Sequence, residues 1–251
     1  MIQFAFSAAA CSQWDVETLA GRARELGYEG VELCPGSGSA GDPAVIDPQK
    51  ARGIFQSTGV RVACLAVAVS CTQDKKSDAA AADRVRRWMD LAAQLECPRV
   101  KILDVRIKPR QSRTAAGLAL GDWLAPLGEL ARERGVVLGV ENAISFRTAR
   151  ELWTVLERLN HPSIGSAWDV NNAAAAGESP WISVPTLNSR IVYATVREGG
   201  QGEPVDLRGF LERLRGIGYG GWVTIHAPAD QLAEAIDRLR ERGNPDGMKG
   251  M

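Results

Sequence analysis

The sequence predicts a single (β/α)8 barrel, an α/β fold in which eight parallel strands form a cylinder inside a ring of helices. Short apolar or β-branched runs alternate with longer segments of helical period along the 251 residues. The alternation repeats eight times, and eight β–α units in about 250 residues is typical of this barrel. An open doubly wound sheet is the alternative, but it usually has a glycine-rich first turn, and the turn here reads SAAACSQW.

Each unit also carries local signals. Ser12 or Asp15 suits the N-cap of the first helix, and Gly27 suits its C-cap. The segments ELGYEGVEL and GIGYGGWVTI both lead through Gly-Tyr-x-Gly from a helix into a strand, which supports repeated units. The predicted strands are IQFAFS, EGVEL, VRVACLAVAV, RVKILDV, VVLGVEN, GSAWDV, RIVYATVRE and GWVTIH. After the first helix, the predicted helices are 48–58, 78–95, 113–134, RTARELWTVLERL, 181–189, VDLRGFLERLRGIG and PADQLAEAIDRLRER.

Composition limits the classes of function. Residues 1–242 are assigned to the barrel, and residues 243–251, GNPDGMKGM, to a flexible tail. Thirty basic residues balance thirty acidic ones, which argues against a nucleic-acid-binding surface. No apolar segment approaches the length of about 18 residues that a membrane span needs. The five cysteines are odd in number and form no C-x-x-C pair, so reduced thiols in a cytoplasmic protein are the simplest interpretation.

Polar residues end the later predicted strands. Glu141 follows VVLGV, Asp169 follows GSAW, Thr195 follows IVYA, and His226 follows WVTI. Successive positions are about one β–α unit apart. Because active sites of these barrels lie at the carboxyl ends of the strands, we expect the four residues to meet at one mouth.

Each of these residues also has a structural interpretation. A carboxylate at a strand end can cap the next helix, which suits Asp169, and a lone histidine such as His226 is often a half-buried, hydrogen-bonded residue. Glu141 ends a strand that looks buried, where a lone carboxylate is costly, so a functional role is favoured. Together, Glu141, Asp169 and His226 are suitable ligands for a divalent ion such as Mn²⁺, Zn²⁺, Co²⁺ or Mg²⁺. His161 falls between a helix and the next strand, at the opposite end of the barrel, and is interpreted as structural.

Four stretches carry a family resemblance: ELGYEGVEL, GVVLGVENA, LNHPSIGSAWDVNNA and GQGEPVDLRGFLERLRGIGYGGWVTI. In this order they span nearly the whole chain. They resemble the xylose isomerase-like barrels, a superfamily of sugar isomerases, sugar 3-epimerases, hydroxypyruvate isomerases, inosose dehydratases and relatives of abasic-site endonucleases.

The resemblance implies one divalent metal held by Glu, Asp, His and Glu from strands five to eight, with both glutamates moving protons. Glu141 matches the first glutamate, and Asp169 matches the aspartate. Thr195 stands where the superfamily usually has the histidine, and His226 where it has the second glutamate. Asn172 stands where a histidine often follows the aspartate. The remaining ligands, Glu141, Asp169 and His226, leave positions open for water or substrate, and we expect weaker metal binding than at a four-ligand site.

The resemblance also implies an activity. We expect an isomerase, epimerase or dehydratase that acts on a small keto-sugar or polyol, with Glu141 and His226 as the catalytic residues, because imidazole titrates near neutrality and can replace a carboxylate as base. The alternative is a metal-free barrel that binds a carbohydrate without converting it. Abasic-site DNA cleavage is disfavoured, because its enzymes use a histidine-rich metal cluster and this chain has two histidines. Barrels of this kind often pair, so a homodimer stays open.

Further residues are candidates for substrate binding at the mouth. Trp14 and Trp181 follow the first and sixth predicted strands, and either indole suits packing against a sugar ring. Glu32 ends the second predicted strand. Asn172 lies just beyond the sixth, and Arg197 is the candidate for an arginine that the superfamily often has after strand seven.

Overall fold

The computed structural model describes residues 1–35, 45–198 and 205–243. Within these ranges, eight parallel strands pair in chain order, and β1 pairs with β8 to close the barrel. The strands are β1 Gln3–Ser7, β2 Gly30–Leu33, β3 Arg61–Ala66, β4 Arg99–Leu103, β5 Val137–Glu141, β6 Ile164–Asp169, β7 Ile191–Arg197 and β8 Trp222–His226. The predicted (β/α)8 TIM barrel is therefore confirmed. The predicted flexible tail, 243–251, lies outside the described residues except for Gly243.

Helices surround the barrel at the predicted places, with one addition. They are α1 Val16–Leu26, α2 Pro48–Thr58, α3 Lys75–Gln94, α4 Arg113–Glu133, α5 Ala149–Leu159, α6 Val170–Ala175, α7 Pro180–Leu187, α8 Leu207–Gly216 and α9 Leu232–Gly243. The short helix α6 was not predicted; it follows β6 directly and interrupts the simple strand–helix alternation. The N-cap of α1 is Asp15, whose side chain accepts a hydrogen bond from the Thr18 amide at 2.9 Å, and Gly27 ends α1 in the left-handed conformation.

Side chains alternate along each strand between the helix layer and the barrel interior. Phe6 and Trp168 point outward and belong to the large apolar core that joins strands and helices. A second, smaller apolar cluster comprises Ala5, Ala63, Cys64, Ala167, Tyr193 and Trp222. Inward positions nearer the carboxyl ends of the strands are polar, and the buried ones include Ser7, Glu32, Lys101, Glu141, Asp169 and Thr195.

Three of the four predicted strand ends are confirmed: Glu141, Asp169 and His226 are the last residues of β5, β6 and β8. The seventh strand end was placed near Thr195 within the segment RIVYATVRE, and β7 ends two residues later at Arg197, which pairs with His226 of β8. Glu32 was predicted to end the second strand, but β2 continues by one residue to Leu33. No helix among the described residues is long and apolar enough to cross a membrane. All five cysteines lie among the described residues, where they are buried and form no disulfide bond.

Candidate active site

A buried lysine lies at the centre of the barrel mouth. Lys101 is the third residue of β4 and points inward, between the outward-facing Val100 and Ile102. Its Nζ lies 3.0 Å from Glu32 Oε2 and 3.1 Å from Glu141 Oε2, and its side chain is 5% exposed. The ammonium therefore joins β2 to β5 across the mouth.

Glu32 is the most enclosed carboxylate of the mouth, with a side chain that is 0% exposed. The Ser7 hydroxyl donates a hydrogen bond to Glu32 Oε1 at 2.8 Å. His226 Nε2 lies 3.0 Å from the same oxygen, without the alignment of a hydrogen bond. One carboxylate thus contacts residues from β1, β4 and β8, and it fixes where the His226 ring lies.

The charges of this cluster stabilise one another. Burial opposes ionisation of Glu32, but the neighbouring Lys101 ammonium and His226 hold the pKa of Glu32 well below its usual range. Burial alone would lower the pKa of Lys101, but the carboxylates of Glu141 and Glu32 hold it above its ordinary value. Both directions describe an ionised pair, so Lys101 is a fixed cation and not a neutral amine.

A second cation lies on the other side of Glu141. Arg197 Nη2 is 2.8 Å from Asp169 Oδ2 and 3.5 Å from Glu141 Oε1, and its side chain is 45% exposed. The Asn171 side-chain amide accepts a hydrogen bond from the Arg197 backbone amide at 2.7 Å and donates one to its carbonyl at 3.1 Å. Asn171 therefore holds the end of β7, while the guanidinium itself faces two carboxylates.

Asp169 has the capping role that the sequence left open, and its other oxygen faces a cation. Its Oδ1 accepts a hydrogen bond from the Asn172 backbone amide at 2.9 Å and caps α6. Its Oδ2 faces Arg197. Burial raises the pKa of Asp169, and the Arg197 guanidinium opposes that shift.

Two buried side chains build the frame around this cluster. Asn142 accepts a hydrogen bond from the Asp169 amide at 2.8 Å and donates one to the Asp169 carbonyl at 3.0 Å. The carboxylate of Asp104 accepts from three consecutive backbone amides after β5, those of Ile144, Ser145 and Phe146. The end of β6 and the loop after β5 are therefore held by hydrogen bonds and not only by packing.

A cavity of about 220 Å³ opens beside the cluster. It is smaller than the roughly 300–1,000 Å³ of pockets for drug-sized ligands, so a small molecule suits it better. Its described lining is Ser7, Ala9, Glu32, Cys34, Pro35, Ala66, Val67, Ala68, Lys101, Leu103, Glu141 and His226. Carboxylate, ammonium and imidazole groups thus face one small space.

The structure brings most of the predicted site residues together. Glu141, His226 and Glu32 line the cavity, and Asp169 and Arg197 are joined to it through Glu141. Thr195 and Asn172 lie next to Asp169, through strand pairing and helix capping respectively.

The two tryptophans predicted to stack on a sugar make their described contacts away from the cavity lining. Trp14 packs edge-on against Phe6 at 6.3 Å between ring centroids. Trp181 donates a hydrogen bond from its indole to Asp206 at 2.9 Å, and the Arg213 guanidinium lies 4.0 Å from its ring centroid. Neither is in the cavity lining, so their substrate-binding role stays a prediction.

The predicted metal ligands do not form a ligand set in this arrangement. Among the described residues there is no group of three or more His, Cys, Asp or Glu side chains placed to hold a metal ion. Glu141 and Asp169 face Lys101 and Arg197 instead, and His226 faces Glu32. The residues present therefore do not fit the divalent ion that the resemblance implies.

Sequence reasoning missed Lys101, Ser7 and Asn171. A signal for Lys101 was present: in RVKIL its position alternates with two apolar residues, which places a lysine inside any barrel built from this strand. Ser7 and Asn171 gave no comparable signal, because a serine at a strand end and an asparagine at a helix start are common for local reasons.

The opposite end of the barrel holds the other histidine. His161 Nδ1 accepts a hydrogen bond from the Ser163 amide at 3.1 Å, and its Nε2 lies 3.3 Å from Glu129 Oε1. This is the structural position that the sequence predicted.

A closed parallel barrel with a charged cluster at the carboxyl ends of its strands defines a class of TIM-barrel proteins with one mouth-centred site. The sequence model described as xylose isomerase-like TIM barrel matches residues 20–242. The chain therefore belongs to the xylose isomerase-like TIM barrel family. No curated protein sequence matches it.

Solved structures share the fold at low sequence identity. A D-allulose 3-epimerase from Methylomonas sp. is 17% identical, with a TM-score of 0.79 over 96% of this chain and 98% of that one. A 3-keto-D-glucoside 4-epimerase from E. coli is 13% identical, with a TM-score of 0.81 over 96% and 99%. An L-ribulose 3-epimerase is 16% identical, with a TM-score of 0.75 over 96% and 86%. At these identities the likeness shows the shared barrel.

Proposed function

We propose that the protein is an isomerase or epimerase that binds a small keto-sugar or polyol at the barrel mouth. The single observation that carries the proposal is that Glu141 and His226 line the same cavity. Family membership and the epimerase activities named for the three similar structures support the class of reaction. Five buried cysteines that form no disulfide bond among the described residues suit a reducing compartment and so support a cytoplasmic location.

The chemistry assigned to these residues is proton transfer beside a carbonyl group. Glu141 takes a proton from the carbon next to the carbonyl, and His226 serves as the second acid or base. The Lys101 ammonium faces the cavity and stabilises the negative charge that develops on the carbonyl oxygen. Arg197 is more exposed than Lys101, so it can move off Glu141 when the substrate enters.

Unmet hydrogen-bonding capacity at the mouth supports a ligand with several hydroxyl groups. Within the described ranges, buried side-chain atoms without an aligned hydrogen-bond partner include Glu32 Oε2, Asp169 Oδ2, Asn172 Nδ2, Thr195 Oγ1 and His226 Nε2. Such groups are rare in protein interiors. Glu32 and His226 line the cavity, and Asp169, Asn172 and Thr195 lie next to one another at the adjoining strand ends. A polyol offers both donors and acceptors to them.

Deuterium exchange tests the proposal even where the product is unidentified. Ketoses of four to six carbons are incubated with the protein in deuterium oxide, and incorporation at the carbon beside the carbonyl is followed by NMR. Glu141→Gln and His226→Asn should each slow exchange by about 10²–10⁴-fold, the usual contribution of a general acid or base. His161→Asn is the matched control at the opposite end, and its rate should equal that of the wild type.

The second candidate is a barrel that binds a sugar without converting it. One observation favours it: both oxygens of Glu141 already face cations, so a proton arriving from carbon must compete with Lys101 and Arg197. A ketose or polyol that binds in NMR titration, yet exchanges no deuterium in the wild type, would select this function. Exchange that proceeds equally in wild type and Glu141→Gln would contradict the first proposal.

A further inference from the structure

We infer that Lys101 and Arg197 form an internal cation pair that replaces a divalent metal at the carboxylates of the mouth. The family resemblance assigns the charge at this place to a metal ion, whereas this chain supplies it from two of its own side chains. The inference goes beyond the proposed sugar chemistry and does not depend on turnover, because it concerns what neutralises Glu141 and Asp169.

The contacts of the two cations are those of a bridging ion. Lys101 Nζ lies 3.0 and 3.1 Å from oxygens of two glutamates, Glu32 and Glu141. Arg197 Nη2 lies 2.8 and 3.5 Å from oxygens of Asp169 and Glu141. Glu141 is shared, one oxygen facing each cation. The two side chains therefore connect carboxylates from β2, β5 and β6 into one charged cluster.

Lys101 is held in the cluster by its burial and its contacts. Its side chain is 5% exposed, and its Nζ lies 5.7 Å from the centroid of the Tyr193 ring. Its neighbour on β5 is Gly139, where an added Cβ would come within 2.9 Å of Ala167 Cβ. The barrel is thus closely packed beside the lysine, and the two glutamate contacts hold its ammonium at the cavity that it lines.

The two other positions at which the family resemblance implies metal ligands, Thr195 and His226, also differ from that ligand set. Thr195 offers a hydroxyl, and His226 faces Glu32 instead of an open position. Three carboxylates, those of Glu32, Glu141 and Asp169, face the two positive charges of Lys101 and Arg197. A divalent ion added beside Glu141 would meet the Lys101 ammonium as a like charge in a buried environment, where repulsion is strong.

Manganese binding tests the inference, with Arg197→Met as the first variant. Mn²⁺ is titrated by calorimetry, its effect on thermal unfolding is recorded, and the metal content of each purified protein is measured. In the wild type, neither Mn²⁺ nor a chelator should shift the unfolding temperature. Arg197→Met frees Asp169 and one oxygen of Glu141, so Mn²⁺ affinity should rise by at least about tenfold. Arg208→Met, an exposed arginine on α8, is the matched control and should behave as the wild type.

Lys101→Met is the second variant and removes the less accessible charge. It should be less stable than the wild type without metal, and Mn²⁺ should raise its unfolding temperature. If Lys101→Met does not fold, Arg197→Met alone decides, because its side chain is partly exposed. Stoichiometric Mn²⁺ in the wild type would overturn the inference, and so would a folded Arg197→Met protein without increased Mn²⁺ affinity. Neither result depends on deuterium exchange, so failure of the proposed function is recognised separately.

Discussion

The two ends of the barrel interior are packed with different kinds of side chain, charged at one end and apolar at the other. At the carboxyl end, three carboxylates and two cations fill the space among the strands. Toward the amino end, the interior is filled by Trp222, Tyr193 and small apolar side chains. Arginines are present there too, but Arg61 lies over the Trp222 ring at 4.7 Å, and Arg99 donates to the Val192 carbonyl at 2.9 Å.

The difference separates the side chains that stabilise the barrel from those that serve ligand binding. Apolar packing stabilises a fold without the desolvation penalty that buried ions bring, and replacing ion pairs by apolar groups is often neutral or stabilising. A charged interior confined to the mouth is therefore poor evidence for a stabilising role and better evidence for a binding role. Lys101 lies at the boundary of the two layers, because its Nζ is 5.7 Å from the centroid of the Tyr193 ring, within the range of a cation–π interaction.

The largest expected effect comes from removing that boundary charge. Lys101→Met leaves Glu32 and Glu141 without their shared cation, and breaking a buried ion pair from one side costs about 3–5 kcal/mol. Urea unfolding measures the loss. The triple variant Lys101→Met, Glu32→Gln, Glu141→Gln removes all three charges, so it should regain most of the lost stability.

The triple variant distinguishes an uncompensated charge from a packing defect. If the loss in Lys101→Met came from poor fit of the methionine, neutralising the two glutamates would restore nothing. Lys50→Met is a suitable control, since its lysine pairs with Glu17 on the surface and exposed pairs contribute about 0–1 kcal/mol.

A smaller effect is expected at the neutral hydrogen bond of the inner layer. Tyr193 and Thr224 share a buried hydroxyl–hydroxyl contact between β7 and β8. Tyr193→Phe leaves the Thr224 hydroxyl without that partner, and we expect a loss of about 1–3 kcal/mol in the free energy of unfolding. The double variant Tyr193→Phe, Thr224→Val removes both polar groups and should be closer to the wild type. Equal stability of wild type and Tyr193→Phe would show that this layer depends on shape alone.

The sequence predicts the amino-end layer and the frame of the mouth better than the mouth's contacts. Strand number, strand order and three strand ends follow from short-range patterns, because an apolar run followed by a polar residue has few other meanings in an alternating chain. The end of β7 was placed near Thr195 because that residue interrupts the apolar run, whereas pairing with β8 extends the strand to Arg197.

The contacts of Lys101 show that short-range sequence patterns do not identify ion-pair partners from distant strands. Alternation in RVKIL places the lysine inside the barrel. Its partners are Glu32 of β2 and Glu141 of β5, which are 69 and 40 residues away along the chain. Which carboxylate meets which cation depends on side-chain conformations across the barrel, and sequence spacing carries no such information. The resemblance therefore led to a metal site, while the local residues build an ion-pair cluster.

The last prediction concerns the pH dependence of stability, in which the contribution of Glu32 changes only in acid. Burial opposes ionisation of Glu32, but Lys101 and His226 hold its folded-state pKa below the ordinary value of 4.5. A carboxyl group with a lowered folded-state pKa contributes stability that is complete above its unfolded pKa, and the contribution is lost as the pH falls through the folded pKa. The stability advantage of the wild type over Glu32→Gln should therefore shrink as the pH falls below about 4.5.

Taking the difference removes the opposing effect of other carboxyl groups. Burial raises the pKa of Asp104 to about 6, although three backbone amides oppose the shift, and burial also raises the pKa of Asp169. Carboxyl groups with raised folded-state pKa values favour the folded state as the pH falls, the opposite sign to Glu32. Both aspartates are present in wild type and variant, so their contributions cancel. A difference that grows as the pH falls below about 4.5 would mean that Glu32 is protonated in the folded protein, and the mouth would then hold a neutral acid where an ion pair is inferred.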